Sequence, residues 1–99
     1  MARVRLTPRA RDDLDEIWLY IARDDIGAAD RLIDAISARR SSLSDFPDLG
    51  PARPDIAPDA RILTIDNYIV LYRREDADIK IVRVTHGARR LEALWPSDT

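Results

Sequence analysis

Cysteine is absent from the 99 residues, and histidine occurs once, as His86. The first absence excludes disulfide scaffolds, thiolate zinc sites and cysteine nucleophiles together; the second excludes a histidine-rich metal cluster. Lysine is almost as scarce. Lys80 stands alone against fifteen arginines, and no glycine-rich loop precedes it, so a P-loop is excluded. Long hydrophobic runs are missing too: the longest, Ile17 to Ala22, falls far short of the ~20 apolar residues of a membrane span. The N-terminus shows no charged start, apolar stretch and small-residue cleavage site, so no export signal is read and a soluble, cytoplasmic protein without membrane contact is expected. There is no excess of positive charge either. The net charge is -2, which argues against a nucleic-acid coat and against sequence-specific nucleic-acid binding by the chain itself.

What is present is one domain's worth of chain, 1–99, with 45% apolar and 34% charged residues. Charge is uneven: residues 1–59 carry a net -3 and residues 60–99 a net +1, so the more basic surface lies in the C-terminal part.

The pattern divides into three sections. Ala2 to Leu6 alternates Arg3 and Arg5 with Val4 and Leu6, the period of a short strand. Thr7-Pro8 is a helix start, with Thr7 able to cap and Pro8 at the first helical position. Ala10, Leu14, Ile17, Trp18 and Ile21 then form one face at the 3.6 period, while Asp12, Asp13, Asp15 and Glu16 favour the positive end of the dipole. Asp24-Asp25 breaks this helix, and Asp25 can cap a second one with Ala29, Leu32, Ile33, Ile36 and Leu43 on a single face. The pair reads as an antiparallel helix hairpin. From Phe46 to Asp59, Pro47, Gly50, Pro51, Pro54 and Pro58 interrupt any regular element, and Leu49 and Ile56 are expected to pin this loop to the core.

The third section is a strand meander over Arg61–Ile65, Tyr68–Arg73 and Ile79–Thr85, with a two-residue turn at Asp66-Asn67 and a longer one over Glu75 to Asp78. That register pairs Tyr72 with Ile81, Val70 with Arg83 and Tyr68 with Thr85. One sheet face then carries Leu63, Ile65, Tyr68, Val70, Tyr72 and Ile81; the other carries Ile62, Ile69, Leu71, Val82 and Val84. Both are apolar and the hairpin can cover only one, so the second set is expected to be a protein-binding face; the alternatives are a homodimer that hides it, or a turn shifted by one residue, which would mix the two sets. Arg83, mid-strand among aliphatics, requires a partner, and Asp13 or Asp15 beside the apolar stripe of the first helix supplies it. A short C-terminal helix is expected after Gly87, with Leu91, Leu94 and Trp95 on one side and Pro96 ending it. The fold class is therefore α+β: an N-terminal strand and a helix hairpin on a mostly antiparallel sheet of three to four strands.

Single residues have plain readings. His86, with no carboxylate near it in sequence, suits a packed strand end better than a general base. Trp18 suits the core, and Asp12 with Asp15 offers too few ligands for a metal, so neither a metal nor a cofactor is expected.

Four segments carry a resemblance. These are Ala10-Arg11-Asp12-Asp13-Leu14-Asp15-Glu16-Ile17 with Tyr20-Ile21-Ala22; Ala28-Ala29-Asp30-Arg31; Tyr68-Ile69-Val70-Leu71-Tyr72-Arg73; and Ile81-Val82-Arg83-Val84-Thr85-His86-Gly87-Ala88-Arg89. With the order of elements they resemble the ParE/RelE superfamily of toxin–antitoxin toxins over nearly the whole chain, and the last segment looks like the ParE branch. Arg90 departs from that branch, which usually carries an acidic residue there. The resemblance implies one of two activities. RelE-like members are ribosome-dependent ribonucleases with basic residues and a C-terminal tyrosine around one sheet face. The matching positions here fall near Ala60, Ile62, Ile69 and Trp95, and only Arg89 keeps its type. Cleavage at a 2′-hydroxyl needs a base and an acid, and neither an aliphatic chain nor an indole serves.

ParE-like members are gyrase poisons that act by binding. The resemblance thus implies a non-enzymatic, plasmid-stabilising type of toxin directed at DNA gyrase. It would be neutralised by a ParD-like antitoxin with a ribbon-helix-helix N-terminus. A RelE-like ribonuclease and a non-toxic, antitoxin-binding relic are the alternatives. The expected target contact is Arg89 and Arg90 with Trp95, because two arginines at the start of a short helix would oppose its dipole and need another reason to be there. The expected antitoxin contact is the face of Ile62, Ile69, Leu71, Val82 and Val84.

Overall fold

The computed structural model describes residues 2–87 and 89–96, so Ala88 of the fourth matching segment lies outside the described residues. The Arg3–Leu6 alternation becomes strand β1, Val4–Leu6. Thr7 then makes three contacts at once. Its hydroxyl accepts the Ala10 N–H at 3.0 Å, capping helix α1 (Pro8–Ala22), and donates to the Val82 carbonyl at 3.0 Å. Its own N–H donates to the Ile81 carbonyl at 3.0 Å, so the end of β1 is tied to the neighbouring strand as the helix begins. Asp25 acts alike for helix α2 (Ile26–Asp45), accepting the Ala28 N–H at 3.0 Å.

The two helices bury the faces that their spacing predicts. Ala10 of α1 and Ala29, Leu32, Ile36 and Leu43 of α2 are buried, with Leu14, Ile17 and Ile21 packed against them. Trp18 lies at the helix–helix seam, half-buried, where its indole N–H donates to Asp30 Oδ1 at 2.8 Å.

The sheet has four strands in the order β1-β4-β3-β2, with β2 at Arg61–Ile65, β3 at Tyr68–Glu75 and β4 at Asp78–His86. β1 lies parallel to β4 and the other pairs are antiparallel. Asp66 (φ 53°) opens the β2–β3 turn, and Ile65↔Tyr68, Leu63↔Val70 and Arg61↔Tyr72 pair as the alternation predicts. The β3–β4 turn is tighter than expected: Glu75 already pairs with Asp78, and Asp76 takes the left-handed conformation at φ 56°.

One expectation about register fails. Tyr72 pairs with Ile81, but Leu71 pairs with Arg83, Val70 with Val84 and Tyr68 with His86. A β-bulge at Leu71/Tyr72 puts one extra residue, Val82, into β4 and reverses the parity of everything after it. Val84 therefore joins the helix-covered core with Leu63, Ile65, Val70, Tyr72 and Ile81. The expected C-terminal helix is also reduced, to a single 3₁₀ turn at Leu91–Ala93.

The proline-rich loop is held by Tyr72, whose phenol reaches through the core edge. Its oxygen accepts the Gly50 N–H at 2.8 Å and donates to the Pro47 carbonyl at 3.0 Å. The chain then runs along the outer edge of β2, where Ile62 N–H donates to Pro51 and Arg53 N–H to Ala60. Ile56 packs inward as expected, but Leu49 is 42% exposed; Gly50 is the anchor instead. A side chain there would overlap the Ile62 carbonyl and lie 2.8 Å from the Tyr72 ring, so only glycine lets the loop approach this closely.

Tyr72→Phe is expected to destabilise the fold by about 1–3 kcal/mol in urea unfolding, because it leaves the buried Gly50 N–H without its acceptor. Burial pushes the Tyr72 phenol above its ordinary value. Its contribution is therefore complete below pH ~10 and falls as pH rises toward the raised value, a loss that Tyr72→Phe removes. A variant as stable as the parent would show that the phenol does not hold the loop.

Candidate functional site

β1 stops pairing with β4 at Ile81, which leaves the outer edge of β4 beyond that residue to be satisfied by other means. Asp13, in the second turn of α1, supplies them. Its Oδ2 accepts the Val84 N–H at 3.0 Å and Arg83 Nε at 2.7 Å, and its Oδ1 accepts Arg83 Nη2 at 3.1 Å. Of the two acids expected to face Arg83, the structure thus places Asp13 there and not Asp15. The pair is closed off, with 5% of the Asp13 and 13% of the Arg83 side chain exposed, and its two-pronged geometry fits a desolvated setting.

Beside this pair, α1 and the end of β4 enclose an open groove of about 420 Å³. Arg9, Ile17 and Tyr20 line it from the helix; Tyr68, His86 and Arg89 line it from the sheet end. His86 sits edge-on to Tyr68, ring centroids 5.6 Å apart at 86°. Sequence spacing alone did not single out Arg9 or Tyr20. Arg9 carries a usable signal, since it stands four residues before Asp13 and its Nε lies 3.8 Å from Asp13 Oδ1.

The three residues expected to form one target contact occupy three settings. Arg89 closes the turn after β4 through its N–H to the His86 carbonyl, at 3.2 Å, and its side chain lines the groove. Arg90 points to solvent, its side chain 85% exposed, with Nε 3.1 Å from Glu92 Oε1. The Glu92 carboxyl is held below its usual range, first by its own backbone N–H and then by Arg90. Trp95 is half-buried against the sheet with Leu94. Because only one 3₁₀ turn follows Arg90 among the described residues, no helix dipole of any size opposes the arginines there, and the dipole argument for them lapses.

The face expected to be open is closed by the chain itself. Ile62, Leu71 and Val82 form a second buried cluster with Leu91, and Ile56, Ile69, Leu94 and Trp95 pack around it. Val84 lies on the opposite, helix-covered side as a result of the bulge. Apolar side chains exposed on the surface are found elsewhere: Leu19, Tyr20 and Ile26 at the connected end of the hairpin, and Phe46 and Leu49 at the other.

Residues 4–91 match the family described as ParE toxin of type II toxin-antitoxin system, parDE. Three relatives span nearly the full chain. Y4kP of Sinorhizobium fredii is 35% identical over 96 residues, 95% of this chain and 93% of its own. Toxin ParE3 of Caulobacter vibrioides is 31% identical over 94 residues, 94% of each chain. Toxin RelE3 of the same organism is 31% identical over 91 residues, 91% of this chain and 99% of its own. Among solved structures, a chain of the chromosomal ParDE TA system from P. aeruginosa superposes with a TM-score of 0.73 at 25% identity, covering 87% of this chain and 96% of that one.

Breaking the buried pair is expected to cost more than replacing it. Asp13→Ala strands both Arg83 and the Val84 N–H and should cost about 3–5 kcal/mol. Arg83→Met should cost less, because the Asp13 carboxylate keeps the Val84 N–H and Arg9. The double change should be milder than the two single losses added together. Chemical denaturation of the three variants checks the order, and additive losses would mean that the two side chains do not act as a unit.

Proposed function

The chain belongs to the ParE toxin family of type II toxin–antitoxin systems, and from that premise we propose that it poisons DNA gyrase by binding, without catalysis, and is neutralised by a ParD-like antitoxin. The observation that carries this reading is the second sheet face. At the positions where the RelE-like resemblance would place proton-transfer groups, this chain has Ala60 and Ile62, both buried, together with Ile69 and Trp95, which pack around the same cluster. None of these side chains can take a proton from a 2′-hydroxyl or return one to a leaving oxygen. A toxin of this kind works where gyrase is, in the cytoplasm, and no helix among the described residues is long and apolar enough to cross a membrane.

The antitoxin contact is reassigned. Leu71, Val82 and Val84 are sealed inside the fold, so the proposed contact moves to exposed apolar side chains, Leu19 and Ile26 at the connected end of the hairpin or Phe46 and Leu49 at the other. A partner reaches the cluster of Ile62, Ile69, Leu71 and Val82 only if Leu91 and Trp95 lift away. The target contact centres on Arg89 and Arg90, whose guanidinium groups can engage acidic or phosphate groups of gyrase on DNA.

The RelE-named relative gives the ribonuclease alternative its weight, so the test has two arms. Purified chain should inhibit gyrase supercoiling and leave ribosome-bound mRNA uncut. Exchanging Arg89→Glu together with Arg90→Glu should weaken inhibition by about a hundredfold, as expected for losing two charge-assisted contacts. Melting temperature and antitoxin affinity should stay unchanged, since both side chains are exposed. Codon-specific mRNA cuts that vanish in Trp95→Ala would instead establish the ribonuclease. A chain that binds its antitoxin tightly but touches neither gyrase nor mRNA would be the non-toxic relic.

A further inference from the structure

The groove between α1 and the end of β4 holds more cationic capacity than its own ion pair consumes. Asp13 directs both oxygens to Arg83 and the Val84 N–H, at 2.7–3.1 Å, and Arg9 remains 3.8 Å away with 55% of its side chain exposed. Arg89 lines the same groove from the turn after β4. The lining is also apolar: Ile17 and Tyr68 contribute, and Tyr20 stands 69% exposed on a helix whose inward face is otherwise packed.

We propose that this groove binds a segment of a protein partner that presents a carboxylate side chain beside an apolar one. The carboxylate bridges Arg9 and Arg89, and the apolar neighbour packs on Ile17 and Tyr20. Charge decides the class of ligand. Arg9, Arg83 and Arg89 against Asp13 and Glu16 leave the groove one positive charge in excess, which suits a single carboxylate. A phosphodiester chain brings a charge with every nucleotide, more than one excess positive charge offsets, and Glu16 in the lining repels it. The mixed lining points the same way, since an aliphatic side chain gains by covering Tyr20 and a sugar-phosphate does not. For the role of Arg89 we rest on the gyrase-binding reading above; Arg9, Tyr20 and the carboxylate class go beyond it.

The test is a titration of the full-length, isotope-labelled chain by NMR. The probes are a blocked leucine–glutamate–leucine peptide, its leucine–glutamine–leucine counterpart, and a short single-stranded oligodeoxynucleotide. The glutamate peptide should shift the Val84 and Thr85 amides and the Arg89 side-chain resonance saturably, and bind about tenfold tighter than the glutamine peptide. Arg9→Gln with Arg89→Gln should erase that preference without lowering the melting temperature, whereas Arg74→Gln, at the far end of β3, should preserve it. Equal binding of the two peptides, tighter binding of the oligonucleotide at these resonances, or no shift at them overturns the proposal. Gyrase supercoiling, run alongside, separates the two readings. If the peptide preference is absent while Arg89→Glu with Arg90→Glu still weakens gyrase inhibition, the groove proposal fails and the target reading stands. If the preference is present while the parent chain leaves gyrase untouched, the target reading fails and the groove stands.

Discussion

A single buried carboxylate determines how this small domain closes. Asp13 lies on the inward side of α1 and takes three hydrogen bonds from β4: two from the Arg83 guanidinium and one from the Val84 backbone. An arginine in the middle of a strand among aliphatic neighbours is costly unless its charge is met. An open strand edge is a liability unless its backbone groups are covered. Asp13 resolves both, because β1 is too short to pair with β4 beyond Ile81. The bulge follows the same logic. One extra residue at Val82 brings Arg83 and the Val84 N–H together on the carboxylate, and it turns Val84 into the core beneath the helices.

The consequence for function lies in what is left over. On one side of the sheet, the helix hairpin covers a core that runs from Leu63 to Ile81. On the other, Leu91, Leu94 and Trp95 fold back over Ile62, Leu71 and Val82, so apolar packing covers both faces of the sheet. Charged side chains available to a partner include Arg9 and Arg89 beside the buried pair, and Arg90 in solvent against Glu92. The proposed action by binding draws on that distribution, with Arg89 and Arg90 of the more basic C-terminal part as the proposed contact.

Much of this was legible in the residues, and the exceptions have physical causes. Thr7 and Asp25 cap the helices that their positions predict, and the Asp66-Asn67 turn pairs Ile65 with Tyr68 as alternation requires. The need of Arg83 for an acid on α1 was also readable, from the cost of an unpaired mid-strand charge. The bulge was not, because alternation has a period of two and carries no mark of a single inserted residue; alternation alone therefore puts Val84 on the wrong face. Leu91, Leu94 and Trp95 have helical spacing, but one 3₁₀ turn places them on the sheet equally well. Leu49 is apolar enough to anchor the loop, yet the smaller Gly50 does so, because the constraint there is space beside Ile62 and Tyr72. The groove joins Arg9 to Arg89 across the whole fold, and no local pattern signals such a meeting.

The proposed action of this ParE-family chain is to stop gyrase by binding, without cutting RNA. The most direct measurement is the amount of DNA covalently trapped on gyrase when purified chain is added to enzyme, ATP and supercoiled plasmid. Linear DNA should appear after denaturation and protease treatment, rise with chain concentration to a plateau, and disappear when the antitoxin is added first. Plasmid that stays intact at saturating chain, under conditions where a known gyrase poison yields linear DNA, would contradict it.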